Sequence, residues 1–356
     1  MHFAEWLKQW SGHSEGYSDL RMTEGYPLAA RASGMSNVAI PNSPTIQERD
    51  FALLFEGHST DPGALDEDFS ITVTGRRYRV NLYRERGKLA ASLRLLQERI
   101  PTPGELGLPE KAIMRFTQHS QGLVVFTGPT GSGKSTSTVS MMMAAARERG
   151  LHIVTIEDPV EYLLPEQIEA QDGTLTTIHQ REVGSDTRNF HLALRSALRQ
   201  NPNIISVGEV RDRETAEMLL KAANTGHLVL ASMHTKSAPG AISRLIDFFE
   251  PERQGAVCAD LSDAIVAIIS QTLLPSIDKT SRVLAYEIMT TDGGVGPQIR
   301  KGKLEQIPNE MRQGAAYGMT RMDDTLARLV KEKRITTDEA VRHSANPEEF
   351  RRALLL

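Results

Sequence analysis

Residues 128 to 135 read Gly-Pro-Thr-Gly-Ser-Gly-Lys-Ser, a pattern whose chemistry is the capture of phosphate. Gly128, Gly131 and Gly133 let the backbone turn tightly, so that its N–H groups converge on anionic oxygens. Pro129, Thr130, Ser132 and Thr136 complete the loop. A helix starting at the loop's end adds free N–H groups and the positive end of its dipole. Lys134 is placed to reach the β- and γ-phosphates, and the Ser135 hydroxyl to ligate Mg²⁺. The pattern therefore predicts ATP with Mg²⁺ as the bound pair.

Phosphoryl transfer to water also needs carboxylates for the metal and for the attacking water. Two acidic segments follow apolar runs. Thr155-Ile-Glu-Asp-Pro-Val-Glu161 offers Glu157, Asp158 and Glu161. Ile204-Ile-Ser-Val-Gly-Glu209 resembles a Walker B strand. Its usual Asp position is Gly208, which leaves Glu209 to act on magnesium alone, through water. His227 and His234 bracket the run Leu228–Ser232. They lie a whole strand apart and cannot share a metal. Spacing leaves a packed polar histidine and a γ-phosphate sensor both open. Arg76, Arg77, Arg79, Arg84, Arg86 and Arg94 crowd one N-terminal stretch. They are either a solvated face or a source of charge for a neighbouring subunit's nucleotide. Arg195 and Arg199, one helical turn apart, admit the same two readings.

The elements that must position these groups follow from pattern. Leu123–Phe126 is an apolar run suited to a buried strand, and Ser137–Arg149 is a helix-forming run. Further strands are expected at His152–Ile156, Ile204–Val207 and Leu228–Met233, with helices between them. This alternation predicts a mostly parallel sheet covered on both faces. Upstream, Phe69–Val73 and Tyr78–Tyr83 alternate around Gly75-Arg76, a hairpin signal, and Leu89–Leu96 reads as a third strand. Gly57–Asp66 reads as a loop. Phe3, Trp6, Leu7 and Trp10 share one helical face, which predicts a helix packed on its own domain or on a neighbouring subunit. Two prolines and a glycine in Ile100-Pro-Thr-Pro-Gly104 mark a linker. The expected organisation is an N-terminal domain over 1–99, a linker over 100–110, a core over 111–275 and a mostly helical part over 276–356.

Composition excludes several classes. The 356 residues are 40% hydrophobic and 24% charged, with a net charge of −4, values ordinary for a soluble globular chain. A single cysteine, Cys258, excludes an internal disulfide framework and a cysteine-rich zinc site. No secretory signal pattern and no run long enough to span a bilayer is seen, so a cytoplasmic location is expected.

Taken in order, these motifs resemble the secretion ATPase superfamily, most closely its PilT-like branch. Gly128–Thr136 is similar to the family's Walker A, Thr155–Glu161 to its Asp box, Val207–Asp212 to its atypical Walker B, and Thr225–Thr235 to its His box. Leu194–Pro202, Arg79-Val-Asn, Glu85-Arg-Gly and Ile100–Pro109 match as well. The resemblance implies an α/β protein with an N-terminal PAS-like α+β domain, then a RecA-like ATPase domain with a helical C-terminal part. It implies a homohexamer that hydrolyses ATP to power a pilus or secretion machine, peripheral at the inner membrane through a platform protein, with no direct nucleic-acid partner. It makes Glu157, with Glu161 nearby, the region of the catalytic base and Glu209 the Walker B acid. His234 becomes the sensor with His227 in support, and Arg79, Arg86 and Arg94 the arginines that reach nucleotide.

Two departures bear on the subtype. The chain cannot carry the paired-cysteine zinc module of extension and type II secretion members. The retraction motif Ala-Ile-Arg-Asn-Leu-Ile-Arg-Glu is replaced by Gly294-Val-Gly-Pro-Gln-Ile-Arg-Lys-Gly302, and Pro297 is expected to break the helix there. Conjugative and type IVB transfer members are therefore the rival within the class. Outside it, a RecA-like nucleic-acid motor would want a basic channel with stacking aromatics, and aromatics are only 5% here. A scaffold that binds ATP without turnover is a third class, and the complete acidic boxes argue against it.

Overall fold

The structure, a computed structural model, describes residues 6–7, 17–32, 37–55, 66–73, 76–96 and 99–354. The chain divides into two compact units. One comprises Met1–Arg99 with Pro159–Leu163, the other Ile100–Asp158 with Leu164–Leu356.

The first unit is built on an antiparallel sheet of β1 (Tyr17–Thr23), β2 (Ala29–Ala32), β3 (Asn37–Ala39), β4 (Asp66–Val73), β5 (Arg76–Glu85) and β6 (Lys88–Leu95), in the order β3-β2-β1-β6-β5-β4. Alternation sets its faces. Tyr78, Val80 and Leu82 of β5 turn inward with Leu89, Ala91 and Leu93 of β6. They pack with Phe51 and Phe55 of the helix Glu48–Leu54 region and with Leu7. Trp6 packs at the edge of the same cluster. Phe3, Trp10 and the expected loop up to residue 65 lie outside the described residues. The hairpin between β5 and β6 turns at Arg86 and Gly87, both with positive φ (51° and 81°), the backbone that a tight type I′ turn requires.

The second unit holds an eight-stranded sheet made of β7 (Gly122–Thr127), β8 (His152–Glu157), β9 (Gln167–Glu169), β10 (Leu175–Glu182), β11 (Ile204–Val207), β12 (Leu228–Met233), β13 (Ile265–Pro275) and β14 (Arg282–Thr290). The order is β14-β13-β7-β12-β11-β8-β10-β9. From β13 to β10 all pairings are parallel. Every residue of β7, β11 and β12 is buried, which is why these strands read as unbroken apolar runs: helices cover both faces. One face packs on Ala216, Leu219, Ala241, Leu245 and Leu261 from three following helices.

Two expectations need correction here. The sheet does not end at Pro275: β14 pairs antiparallel with β13 along nine positions. Helices follow only after Thr290, so the helical part begins later than the sequence pattern suggests. Pro297 does not break its helix either. Val295–Arg300 is helical with Gly294 as N-cap, and Pro297 sits in the first turn, where its missing N–H has no intrahelical acceptor to lose.

Candidate functional site

The phosphate loop joins the end of β7 to the helix Lys134–Glu148. Gly128, Gly131 and Gly133 have φ of 145°, 77° and 87°. Gly128 has a second reason to lack a side chain. A Cβ there would lie 2.2 Å from the Gln271 carbonyl oxygen of β13 and 2.7 Å from Ser132 Oγ. The loop is thus laid directly on the neighbouring strand. Gln271 also donates from its Nε2 to Ser137 Oγ of the loop's helix at 2.8 Å. Lys134, 8% exposed, folds back over the loop and donates to the carbonyls of Gly128 (2.9 Å) and Pro129 (3.1 Å). Pro129, Thr130, Gly131 and Ser135 are exposed, and Thr136 is half-buried. Ser132 Oγ is buried with no hydrogen-bond partner. A glycine cradle, a buried hydroxyl without an acceptor and a lysine on the loop's own carbonyls fit a nucleotide's phosphates.

The strands flanking β7 bring the acids and one histidine to the same edge. In parallel register Met233 of β12 lies beside Thr127, so His234, the next residue, stands next to the phosphate loop. Thr127 Oγ1 fixes this junction, accepting from Thr235 N at 2.9 Å and lying 2.7 Å from Thr235 Oγ1. Val207 of β11 pairs with Ala231, which sets Glu209 beside His234. His234 Nε2 is 3.2 Å from Glu209 Oε1. Burial, and then the charge of Lys134, pushes His234 below the usual imidazole value, with Glu209 opposing. The shift favours the neutral imidazole, whose Nε2 faces the carboxylate.

Gly208 explains the departure from the usual Walker B acid. Its N–H bonds to the Ile156 carbonyl at 2.8 Å, and its own carbonyl accepts from Ser232 Oγ. A Cβ would meet Ile156 O at 3.2 Å and Glu157 Cα at 3.4 Å. Strands β8 and β11 end too close together here for an aspartate to fit without shifting its neighbours.

Glu157 ends β8, three strands from β7 and therefore about 14 Å away across the sheet at ~4.8 Å per strand. Thr155 Oγ1 (2.6 Å) and Gln180 Nε2 (3.0 Å) both donate to its Oε1. Asp158 is exposed just beyond. Glu161 falls in the segment that clusters with the N-terminal unit. A residue the sequence reasoning missed is Arg211. Its Nη2 and Nε lie 2.5 Å and 2.6 Å from Glu209 Oε2. Two residues' separation carries no signal of such a pairing, because it depends on the turn after β11.

Other expected site residues are not brought to the loop. His227 precedes β12, and its carbonyl accepts from Gly122 N at 3.0 Å. It therefore sits at the amino edge of the sheet, about 20 Å from His234 at ~3.3 Å per strand residue, and cannot support that residue or touch nucleotide in the same chain. Arg195 and Arg199 are exposed at and beyond the last turn of the helix Phe190–Ala197, which leads down to that same edge. In the N-terminal unit Arg79 and Arg94 face each other across β5 and β6, and Arg94 is paired with Asp19 at 2.9 Å. Arg86 is at the hairpin tip, seven residues along β5 from Arg79. The three arginines form no single cluster.

Comparison with known proteins fits this geometry. Residues 84–353 match the family model described as Type II/IV secretion system protein. The chain belongs to this family. Within the family it is 36% identical to the type IV pilus retraction ATPase PilT of Pseudomonas aeruginosa, over 94% of this chain and 96% of that one. It is equally identical to PilU of the same organism, over 95% and 87%. A crystal structure of the pilus retraction motor PilT with bound ADP superposes with a TM-score of 0.87 at 37% identity, covering 99% of both chains. The ATPase DotB of Legionella pneumophila superposes at 0.78 with 25% identity, over 95% and 94%. The chain is a nucleotide-binding secretion ATPase of the PilT-like branch, and nothing in these relatives supports a nucleic-acid motor.

Proposed function

We propose that this chain is the motor ATPase of a type IV pilus or a related transfer machine, working as a homohexameric ring against an inner-membrane platform protein. The reading rests above all on one observation: Glu209 and His234 are joined at the carboxyl edge, beside the phosphate loop, in a chain whose full length follows a pilus motor. The altered stretch at Gly294–Gly302 keeps the type IVB alternative in view, and the DotB likeness supports it. No described helix is long and apolar enough to cross a membrane, so attachment falls to the platform partner.

The chemistry follows from the side chains in place. Lys134 exchanges the carbonyls of Gly128 and Pro129 for phosphate oxygens. The exposed Ser135 hydroxyl and the Glu209 carboxylate would hold Mg²⁺, which supplies charge neutralisation on the transferring phosphoryl group. No cluster of three metal-ligating side chains occurs among the described residues. That suits Mg²⁺, which keeps waters and uses one or two carboxylates with the substrate's own oxygens. His234, held toward its neutral form and with Nε2 on Glu209, reports on the phosphate beside it. Glu157 remains the base of this reading, but from three strands away its carboxylate reaches the attacking water only through a chain of several waters, longer than the single bridge a general base ordinarily uses. Arg79, Arg86, Arg94, Arg195 and Arg199 act on a neighbouring subunit's nucleotide.

ATP turnover measured against protein concentration, with light scattering for mass and single-stranded DNA in parallel, tests this. Turnover should rise with hexamer formation and ignore DNA. Turnover by a monomer, or strong stimulation by DNA, would overturn the reading.

A further inference from the structure

Both oxygens of the Glu209 carboxylate are taken in this structure. His234 lies on Oε1 at 3.2 Å, and the Arg211 guanidinium grips Oε2 with two nitrogens. The carboxylate is 19% exposed and the arginine side chain 63% exposed. An enclosed anion is thus covered by a cation that reaches it from solvent. Charge-assisted contacts of this kind are among the stronger hydrogen bonds, and the guanidinium charge held on Oε2 opposes the approach of a metal ion to the same carboxylate. A second carboxylate lies on the adjacent strand end: Ile156 of β8 pairs with Val207 of β11, so exposed Asp158 follows β8 on the side where Arg211 follows β11, and its charge favours the charged arginine.

We propose that Arg211 is a releasable latch on Glu209, holding the carboxylate occupied until Mg²⁺ with nucleotide arrives and passing then to Asp158. Arg211 is a positioning residue: it acts through Glu209. This inference rests on the nucleotide and magnesium roles proposed above.

Binding of a fluorescent ADP analogue to the full chain, with Mg²⁺ titrated and with chelator in a parallel arm, tests the latch. Removing a partly exposed forked ion pair in Arg211→Ala should lower the half-saturating Mg²⁺ by roughly threefold to fivefold. Affinity in chelator should not move, because Lys134 and the loop are untouched. Arg211→Lys, a point charge without the fork, should fall between. Asp158→Asn should raise the Mg²⁺ requirement in the wild-type background and leave it unchanged in the Arg211→Ala background. An unchanged or higher requirement in both Arg211→Ala and Arg211→Lys overturns the latch. An Asp158→Asn effect that persists without Arg211 overturns the transfer step. Loss of nucleotide binding by the wild type would instead break the phosphate-loop reading beneath it.

Discussion

The two edges of the eight-stranded sheet use similar residues to different ends. At the carboxyl edge, Lys134, Glu209, His234 and Arg211 have side chains that meet one another or the loop. At the amino edge, polar groups close the backbone. Asn203 Oδ1 accepts from His152 N at 2.7 Å, its N–H donates to His152 O at 2.8 Å, and its carbonyl accepts from Leu228 N at 3.1 Å. Thr176 Oγ1 accepts from Leu151 N at 3.0 Å, and His227 contributes its carbonyl. One residue, Asn203, thereby ties the starts of β8, β11 and β12. Polar chemistry at one edge is spent on chain ends that would otherwise be unsatisfied. At the other it remains available to a ligand.

Substitutions sharpen this contrast, beginning with the largest effect. Lys134→Ala should reduce ATP turnover by about a thousandfold or more, since it removes the cation that meets transferring charge. A variant with wild-type turnover would remove the loop from the mechanism. Glu209→Gln should lower kcat by about 10²–10³ while nucleotide still binds, as for loss of a group acting in the transition state. Single-turnover kinetics separates the two. His234→Ala should cost about tenfold in kcat. His227→Ala, at the other edge, should change kcat by less than about twofold, and equal effects would erase the distinction between the edges. Asn203→Ala should destabilise by about 1 kcal/mol by removing the one acceptor of the His152 N–H, a fall in Tm of roughly 2–4 °C, with turnover per folded molecule unchanged.

The smallest effect concerns Glu287 of β14, whose Oε1 accepts from Ala238 N at 2.8 Å at the start of the helix after His234. Burial raises its carboxyl above the usual range. A raised folded value means the native state binds more protons than the unfolded chain. The stabilising share is present at low pH and lost as pH rises through that raised value. Glu287→Gln does not titrate, so the Tm of the variant minus that of the wild type should grow more positive from pH 4 to pH 8. A difference flat in pH would show that the carboxylate is not titrating there.

Much of the carboxyl edge was legible. The run Leu123–Phe126, the glycines and Lys134 carry their own geometry, because strand burial and positive φ leave compositional marks. Glu209 and His234 were legible as residues ending strands, but their contact depends on strand order, which local pattern does not encode. The spacing that keeps His227 and His234 from sharing a metal also sets them at opposite edges of a parallel sheet, which rules out support of one by the other. β14 was hidden because Arg282–Thr290 is a mixed run at the sheet's edge without clean alternation, and β2 and β3 because they are short. Pro297 was misjudged by treating proline as a breaker without regard to position.

The fold of Lys134 onto Gly128 and Pro129 makes the lysine an internal ligand of its own loop. A phosphate that draws on Lys134 therefore competes with two backbone carbonyls for the same ammonium group. Affinity for phosphate is lowered by the share of molecules in which the lysine is committed inward. A site of this kind can let its product go, since the vacated lysine has a place to return to.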